Sequence, residues 1–479
     1  MALAVIIALA AALRFWGIDG QSFWSDEYFT HLHASQAGFG AMLSSVSEEE
    51  VSPPLYHVLA WLWVHAFGTG DAGLKSLSAL LGTATVPVVY VGVHQLASRR
   101  AALVAAALVA TSPLLVWYSQ EARPYSLLIL LSAASFAFFA RALRAPSRGA
   151  LAGWAAASSL ALASHYLAGL LIVPEAALLF VRLRESRRAV AVATGVVALV
   201  VAALLPTVLG YEANPTNWIS QTPLDERLIQ TSLLFGVGQS YPPGLAVAAA
   251  GLLAVGLSAV LLARADPEER RVATLALYLF AGGMAVALLG VAVGQDLIIA
   301  RYLLALWVPL AVAVAVGFGS RRAGAVGAGA TIVLCGLWTA LSIEVKDNED
   351  IQRIDWRAAA ELVGDERRRL IAAPSSYHHL PLLIYLDGIR QQPPLATNRV
   401  SEVVELTHDR PSRGKRCWWG AACGLSSENQ PRIVLPGGFR LVERTSLGRF
   451  TASRYVSARP LPVTAPPAGE LGVLLQTGT

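Results

Sequence analysis

The sequence predicts an all-α membrane protein with many spans, followed by a C-terminal extracytoplasmic α/β domain. Hydrophobic residues make up 55% of the 479 residues and charged residues only 14%, whereas soluble domains carry roughly 25% charge. Apolar runs near the roughly 20 residues that a helix needs to cross a bilayer recur along the chain as far as residue 343. A large soluble helical core is disfavoured, because soluble cores do not repeat near-uniform apolar runs separated by Arg-rich connectors.

Eleven apolar runs are candidate membrane spans. They cover residues 2–18, 75–96, 101–118, 124–142, 150–165, 167–181, 189–210, 243–263, 272–293, 302–319 and 323–343. The first run is expected to be a retained helix rather than a cleaved signal peptide. It has no basic segment before it, and Arg14 and Trp16 stand where small cleavage-site residues should be.

The positions of Lys and Arg predict the orientation of these spans. One set of alternate loops carries Arg99, Arg100, Arg141, Arg144, Arg148, Arg182, Arg184, Arg187, Arg188, Arg264, Arg270, Arg271, Arg321 and Arg322. The other loops carry only Arg123, Arg227 and Arg301, with Lys75 at the edge of a span. The first set is therefore predicted to be cytoplasmic. The net charge of +5 then reflects loops held at anionic membrane lipids, and nucleic-acid binding is not indicated.

The composition changes from about residue 344, where charged residues become frequent. A span domain is predicted over 1–343 and a small extracytoplasmic α/β domain over 344–458. The Pro-rich tail at 459–479 is not expected to be ordered throughout. Within the α/β domain the pattern predicts an amphipathic helix and four strands. These elements are expected at 355–369 for the helix and at 370–373, 432–436, 439–447 and 450–457 for the strands.

Three cysteines divide between two environments. Cys335 lies in the last predicted span and is expected to pack as a small apolar residue. Cys417 and Cys423 lie in the outward-facing domain, where an oxidising compartment favours a disulfide between them. A metal pair is less favoured, because no partner His or Cys stands at ligand spacing.

An adjacent acid pair, Asp26 and Glu27, follows the first span among the aromatic residues Phe23, Trp24 and Tyr28. Trp and Tyr at this depth commonly anchor helix ends at the membrane interface. Loop acids are often merely solvated, but a carboxylate held at an interface also suits a general base. The pair is therefore a candidate catalytic site.

Outward-facing cations are the second group of candidates. Glu121 and Arg123 lie in a short turn before Pro124, which can begin a helix. Arg123 could pair with Glu121, or it could bind an anion such as phosphate together with the N-terminus of the next helix. Arg301, with Tyr302 beside it, either snorkels to the interface or provides a second cation for a phosphate group.

Histidines near the outer helix ends are weaker candidates. His57 and His165 each suit hydrogen-bonded structure or a cavity wall. Walker motifs, GxSxG and HExxH are absent from the sequence, so a mechanism driven by a nucleotide is not indicated. No cofactor is predicted with certainty, and a divalent metal is compatible with the sequence but not indicated by it.

Taken in order, these segments resemble the GT-C superfamily of membrane glycosyltransferases. The similarity is to the bacterial branch related to protein O-mannosyltransferases and to the aminoarabinose transferase of lipid A. It rests on the segments 23-FWSDE-27, 53-PPLY-56, 118-YSQEARPY-125, 165-HY-166, 301-RYLL-304 and 355-DWRAA-359. It therefore extends over nearly the whole chain.

The resemblance implies an enzyme of a bacterial plasma membrane that takes a sugar from a polyprenyl-phosphate donor on the outer face. Asp26 matches the family's essential loop acid, with Glu27 as its companion. Arg123 and Arg301 match donor-phosphate ligands, with Tyr125 beside them. The expected cavity walls comprise Trp24, Tyr28, His57, Glu121, His165 and Tyr302.

Several points stay open at the level of sequence. Family members often carry a His directly before the Pro-Pro pair, where this chain has Ser52 and places His57 a turn later. A role for His57, or for a metal near it, is therefore in doubt. The acceptor is expected to be a lipid, a glycan or a protein. The alternatives are a carrier or flippase for lipid-linked saccharides, which should carry ionisable groups deep in its spans, and a non-catalytic scaffold.

Overall fold

The computed structural model describes residues 1–209, 218–238, 245–348, 351–364, 368–374, 379–408, 432–467 and 471–477. The predicted disulfide between Cys417 and Cys423 lies outside these residues. The chain forms two compact units. The first comprises Met1–Ile18 and Leu32–Ile351, and the second comprises Asp19–His31 and Gln352–Thr479.

Helices account for nearly all regular structure before residue 348. In chain order they are α1 (Ala2–Phe15), α2 (Ser25–Ala34), α3 (Phe39–Glu49), α4 (Leu55–Phe67), α5 (Asp71–Leu96), α6 (Arg99–Thr111), α7 (Pro113–Tyr118), α8 (Tyr125–Arg144), α9 (Arg148–Ser164), α10 (Gly169–Arg182), α11 (Arg187–Leu209), α12 (Leu224–Val237), α13 (Leu245–Arg264), α14 (Pro267–Ala292), α15 (Trp307–Gly319) and α16 (Gly324–Asp347). Short 3₁₀ turns at Tyr166–Ala168, Ala300–Tyr302 and Leu304–Leu306 precede α10 and α15.

Five helical segments of the described chain are long and apolar enough to cross a membrane. They are Asp71–Leu96, Tyr125–Arg144, Arg184–Thr207, Pro267–Ala292 and Arg321–Asp347. Shorter apolar helices of the described chain include α1 and α4. Each of the eleven predicted runs is mainly helical, so the polytopic helical character is confirmed. The number of spans and the orientation of the chain stay predictions.

One predicted span, 101–118, is broken at Ser112 and Pro113 into α6 and α7. Proline cannot donate a backbone hydrogen bond, so the last carbonyls of α6 need other partners. Arg14 of α1, fully buried, donates to the carbonyls of Val109 at 2.9 Å and Ala110 at 2.8 Å. This side chain therefore explains why a charged residue lies inside the first apolar run.

Replacing Arg14 by Met is expected to destabilise the first unit by about 3 kcal/mol, since buried carbonyls would lose their donors. Arg14 also donates to Ser119 Oγ at 3.1 Å, so the turn that follows α7 should loosen as well. Thermal unfolding in detergent measures the loss. Arg100→Gln, at an exposed residue of α6, is the control, and equal melting of both variants would contradict this role for Arg14.

The second unit contains a six-stranded mixed sheet and two short helices, α17 (Trp356–Val363) and α18 (Leu382–Tyr385). Its strand order is β2-β6-β1-β3-β5-β4. The strands are β1 (Arg369–Pro374), β2 (Ile389–Gln391), β3 (Thr397–His408), β4 (Arg440–Leu447), β5 (Phe450–Thr464) and β6 (Leu471–Gln476). Among the strand pairs that the structure describes, β1–β3 alone is parallel. The predicted α/β character of this region is confirmed.

The sheet continues beyond residue 458, where the α/β domain was predicted to end. The segment expected to be a tail contains β6, which is buried along its whole length and pairs with β1 and β2. Its apolar run is short, and only this pairing reveals it as a strand. Strand β5 also continues to Thr464, and it tolerates Pro460 and Pro462 because β4 pairs with it only as far as Val456.

Three other elements of this unit differ from the predicted pattern. The amphipathic helix ends at Val363 rather than 369, because Gly364 follows it with φ 71° and Arg369 begins β1. The run 432–436 is not a strand. Strand β3, twelve residues long, was not predicted, since its polar N-terminal half hides the buried half that follows.

Candidate active site

The acid pair lies in the first turn of α2, in the second unit. Glu27 is buried, and its Oε2 accepts a hydrogen bond of 3.2 Å from the backbone N–H of Trp24. Trp24 directly precedes the helix, so this contact is the carboxylate half of a capping box. Asp26 is half-buried beside it. Glu27 therefore has a structural function, and Asp26 is the better candidate for chemistry.

Glu27→Ala is expected to destabilise the start of α2 by about 1 kcal/mol, as the loss of a helix cap does. Glu27→Gln should retain most of this stability, because a Gln side chain can also accept from the N–H of Trp24. Hydrogen exchange of the α2 amides measures the effect. Equal protection in the Ala variant and the wild type would contradict the capping role.

Residues of the second unit also hold the segment just before α2. The N–H of Phe23 donates to the hydroxyl of Tyr385 at 2.7 Å, and the N–H of Trp356 donates to Ser22 Oγ at 2.8 Å. The guanidinium of Arg353 lies 3.7 Å from the ring centroid of Trp24. One face of Trp24, which was predicted to line a cavity, is therefore covered by a cation.

Tyr28, the other aromatic residue predicted to line a cavity in this segment, is half-buried. Its ring packs edge-to-face on Phe29, with 5.4 Å between the ring centroids. This geometry is usual for aromatic pairs. Tyr28 therefore forms part of an aromatic pair on α2.

Arg123 lies in the first unit, in the turn between α7 and α8, and is buried. Its N–H donates to the carbonyl of Glu121, also buried, at 2.8 Å. Its guanidinium pairs with the carboxylate of Glu50, which directly follows α3. Nη1 donates to Oε1, and Nη2 lies 3.5 Å from Oε2. The guanidinium thus meets the carboxylate through both terminal nitrogens.

Glu50 was not predicted as a site residue. It is the last acid of the run Glu48, Glu49 and Glu50, of which the first two are exposed. Its position in the sequence could have indicated a role in the site, since Glu50 stands three residues before the Pro-Pro pair. An acid next to a recognised motif, on the same predicted face as an isolated Arg, is a natural partner for that Arg.

The Glu50 carboxylate is charged in this environment. Burial alone would raise its pKa, but the positive charge and hydrogen bonds of Arg123 outweigh burial and hold the pKa at about 2. His57 and His33 lie close enough to contribute to this lowering. The pair is therefore a buried carboxylate–guanidinium pair with two imidazoles beside it.

His33 and His57 are both fully buried, with ring centroids 5.0 Å apart and the rings nearly perpendicular. Burial, together with the charge of Arg123, lowers the pKa of His57 to about 3 and that of His33 to about 4, although Glu50 opposes the shift. Both rings are therefore neutral at pH 7. Helix α4, which carries His57, lies outside the predicted spans.

A line of rings connects the Arg123 turn to the segment of Arg301. Tyr125, at the start of α8, lies 6.0 Å from His165, and His165 lies 6.2 Å from Tyr302, both measured between ring centroids. The Arg301 guanidinium lies 5.5 Å from the Tyr302 ring and 5.3 Å from the Trp218 ring. Arg123 and Arg301 therefore stand near opposite ends of one aromatic group.

The first unit thus brings together many of the predicted site residues. Those linked by contacts or electrostatics are Arg123, Tyr125, His57, Glu121, His165, Arg301 and Tyr302. The remaining four belong to the second unit, namely Asp26, Glu27, Trp24 and Tyr28. Among the described residues, no group of three or more His, Cys, Asp or Glu side chains is arranged to hold a metal ion.

Residues 51–209 match the family model described as dolichyl-phosphate-mannose-protein mannosyltransferase. The resemblance to the GT-C glycosyltransferases is confirmed. The matched region is less than half of the chain, and it includes His57, Arg123, Tyr125 and His165 but not Asp26 or Arg301. A search of the curated proteins found no match to this chain.

Three solved structures are similar at low sequence identity. The Saccharomyces cerevisiae protein O-mannosyltransferase Pmt1-Pmt2 complex bound to the sugar donor is 19% identical, with 44% of this chain and 31% of that chain covered and a TM-score of 0.33. The Archaeoglobus fulgidus oligosaccharyltransferase complexed with Zn and sulfate is 16% identical, with 71% and 53% covered and a TM-score of 0.47. ArnT from Cupriavidus metallidurans, bound to undecaprenyl phosphate, is 15% identical, with 80% and 84% covered and a TM-score of 0.40.

These similarities are too distant to transfer a ligand or an activity. The chain also spans less than two thirds of the length of the yeast and archaeal chains. The long apolar helices of this chain indicate a multi-pass membrane protein. Its donor, its acceptor and the roles of its residues are matters for proposal.

Proposed function

We propose that this chain is an inverting membrane glycosyltransferase that moves a sugar from a polyprenyl-phosphate donor to an acceptor on the extracytoplasmic face. The single observation that supports this most is the placement of Arg123 and Arg301, which come from two separate segments and flank one aromatic group. The family match over the Arg123 turn supports the same assignment. The sugar is a hexose, in the manner of the mannosyltransferases.

Arg123 and Arg301 bind the phosphate of the donor. When the bond between the sugar carbon and the phosphate oxygen breaks, negative charge develops on the departing polyprenyl phosphate. Preorganised cations at that position lower the barrier, because they interact more strongly with the developing charge than with the bound donor. Tyr125 is close to both the Arg123 turn and His165, and it serves as a wall of the donor site.

Asp26 is the general base. The acceptor hydroxyl is a poor nucleophile at neutral pH, so it needs a positioned carboxylate that takes its proton as the new glycosidic bond forms. Attack from the face opposite the phosphate inverts the anomeric carbon. Glu27 holds the N-terminus of α2 through the N–H of Trp24, and it thereby positions Asp26 without contacting the reacting atoms.

A carrier for lipid-linked saccharides is the second candidate, and Glu175 is the observation that favours it. This carboxyl group is fully buried in α10, within a predicted span. Carriers use such groups. Here, however, its Oε2 accepts hydrogen bonds from Ser135 Oγ at 2.5 Å and Trp154 Nε1 at 2.9 Å. It thus ties α8 and α9 to α10, which is a structural function.

Sealed vesicles that contain the purified chain and a labelled polyprenyl-phosphate sugar distinguish the two candidates. The proposal predicts that a glycosidic product forms with a soluble acceptor, that polyprenyl phosphate is released in equal amount, and that the anomeric configuration inverts. Movement of the labelled lipid between leaflets with no glycosidic product would support the carrier and contradict the transferase. Glu175→Gln should leave the transfer per folded molecule unchanged.

A further inference from the structure

The guanidinium proposed to receive the donor phosphate already holds a carboxylate. Arg123 meets Glu50 through both terminal nitrogens, and the two side chains are each only 9% exposed. Arg binds phosphate with the same two-pronged set of N–H groups that it presents to a carboxylate. An arriving phosphate therefore has to compete with Glu50 for these nitrogens.

Unused hydrogen-bonding capacity lies beside this pair. His57 Nδ1, His57 Nε2 and His33 Nε2 are buried, and none of them has a hydrogen-bond partner in the part of the chain that the structure describes. His33 Nδ1 is bonded to Ser45 Oγ at 2.8 Å. Unpaired buried polar atoms are unfavourable. The two imidazoles can therefore accept a new partner without losing an existing one.

We propose that Glu50 is an exchangeable counter-ion that occupies the phosphate position on Arg123 while the donor site is empty. When a polyprenyl phosphate binds Arg123, the Glu50 carboxylate moves onto the imidazoles of His33 and His57. This inference rests on the proposed function, since it takes Arg123 as the donor-phosphate ligand. A carboxylate and a phosphodiester each carry one negative charge, so the exchange leaves the guanidinium neutralised.

The exchange makes donor binding depend on pH. The charged and titratable groups that act on Glu50 are Arg123, His57 and His33, and Glu50 and Arg123 also act on His165. The groups that act on His57 are Glu50, Arg123 and His33. In the empty site both imidazoles are neutral at pH 7, since their pKa values lie at about 3 and about 4. Glu50 already pairs with Arg123 and acts on both imidazoles in the empty site. The bound site adds the negative charge of the phosphate and brings Glu50 into contact with the imidazoles, so the pKa of an imidazole rises. Binding therefore takes up a proton at pH values between the free pKa of about 3 to 4 and the raised pKa of the bound state, and it strengthens as the pH falls through that window.

Calorimetry with an undecaprenyl-phosphate hexose, a phosphodiester that does not itself titrate in this pH range, tests the exchange in detergent. Glu50→Gln is expected to bind this lipid roughly tenfold more tightly than the wild type, because the competing charge-assisted bond is gone. The proton uptake and the pH dependence should vanish in the same variant. Glu49→Gln, at the exposed neighbouring residue, is the matched control and should behave as the wild type. Arg123→Gln should bind more weakly than all of them.

The outcomes separate this inference from the proposed function. Weaker binding in Arg123→Gln together with unchanged or weaker binding in Glu50→Gln would overturn the exchange and leave the phosphate ligand in place. Unchanged binding in Arg123→Gln would overturn the phosphate ligand itself. If Glu50→Gln does not fold, the wild type alone decides the question. The binding enthalpy of the wild type must then differ between buffers with different heats of ionisation, because protons are taken up from the buffer. Equal enthalpies in all buffers would overturn the exchange.

Discussion

Asp26→Asn is expected to reduce sugar transfer by about 10²- to 10⁴-fold, the usual contribution of a general base. Asparagine has nearly the same shape, but its amide cannot take the proton of the acceptor hydroxyl. The loss should lie in kcat, because Asp26 is proposed to act on the acceptor and not on the donor phosphate. Single-turnover transfer with labelled donor measures the rate, and lipid-phosphate binding measures the donor site separately.

Glu27→Gln is the matched control for this prediction, since it changes the adjacent carboxylate by the same chemistry. Its cap to the N–H of Trp24 can be retained, so transfer should stay within about threefold of the wild type, a change of under 1 kcal/mol. Full activity in Asp26→Asn would remove Asp26 as the base. A larger loss in Glu27→Gln than in Asp26→Asn would exchange the roles assigned to the two acids.

Arg123→Gln and Arg301→Gln should each lower kcat/KM by roughly 100-fold, as does the loss of one preorganised donor to a developing oxyanion. Each substitution removes a cation from the proposed position of the departing phosphate. Lysine at either position should restore only part of the rate, because its point charge cannot reproduce a two-pronged contact. Initial rates over a range of donor concentrations give the ratio.

Arg227→Gln is the control for these arginine variants. Arg227 is the third Arg on the predicted outward side, and its guanidinium pairs with Asp296, with 2.8 Å between Nη2 and Oδ2. It takes no part in the proposed phosphate site. Its loss should lower stability but not transfer per folded molecule. If all three variants lose transfer to the same extent, the assignment of the phosphate to Arg123 and Arg301 is wrong.

The helical architecture could be predicted from the sequence because the apolar runs are near the length of a membrane-spanning helix and are separated by Arg-rich connectors. The 101–118 run was predicted as one span, whereas Pro113 breaks it into α6 and α7, and the partner that satisfies the broken end could not be predicted either. Arg14 supplies the missing donors, although it lies 95 residues from Val109 and 96 residues from Ala110 in the sequence. Long-range hydrogen bonds of this kind leave no local pattern in a sequence.

The candidate site, too, could be predicted only in part. Arg123 and Arg301 stood out because charge is rare on that predicted face. His165 and Tyr302 were predicted to line a cavity, but the line of rings that connects them to Tyr125 was not predicted. Glu50 and His33 were missed, because a loop acid and a helical His look solvated until the fold buries them. The grouping of residues 19–31 with the C-terminal unit depends on contacts such as that of Phe23 with Tyr385, which lie 362 residues apart in the sequence.

Transfer by the purified wild-type chain from a panel of radiolabelled polyprenyl-phosphate sugars to native membranes tests the central claim most directly. The account predicts that one donor yields a labelled glycosidic product, that an equal amount of polyprenyl phosphate is released, and that Asp26→Asn lacks both. Folded wild-type chain that consumes no member of a panel covering the common hexoses and aminosugars would contradict it.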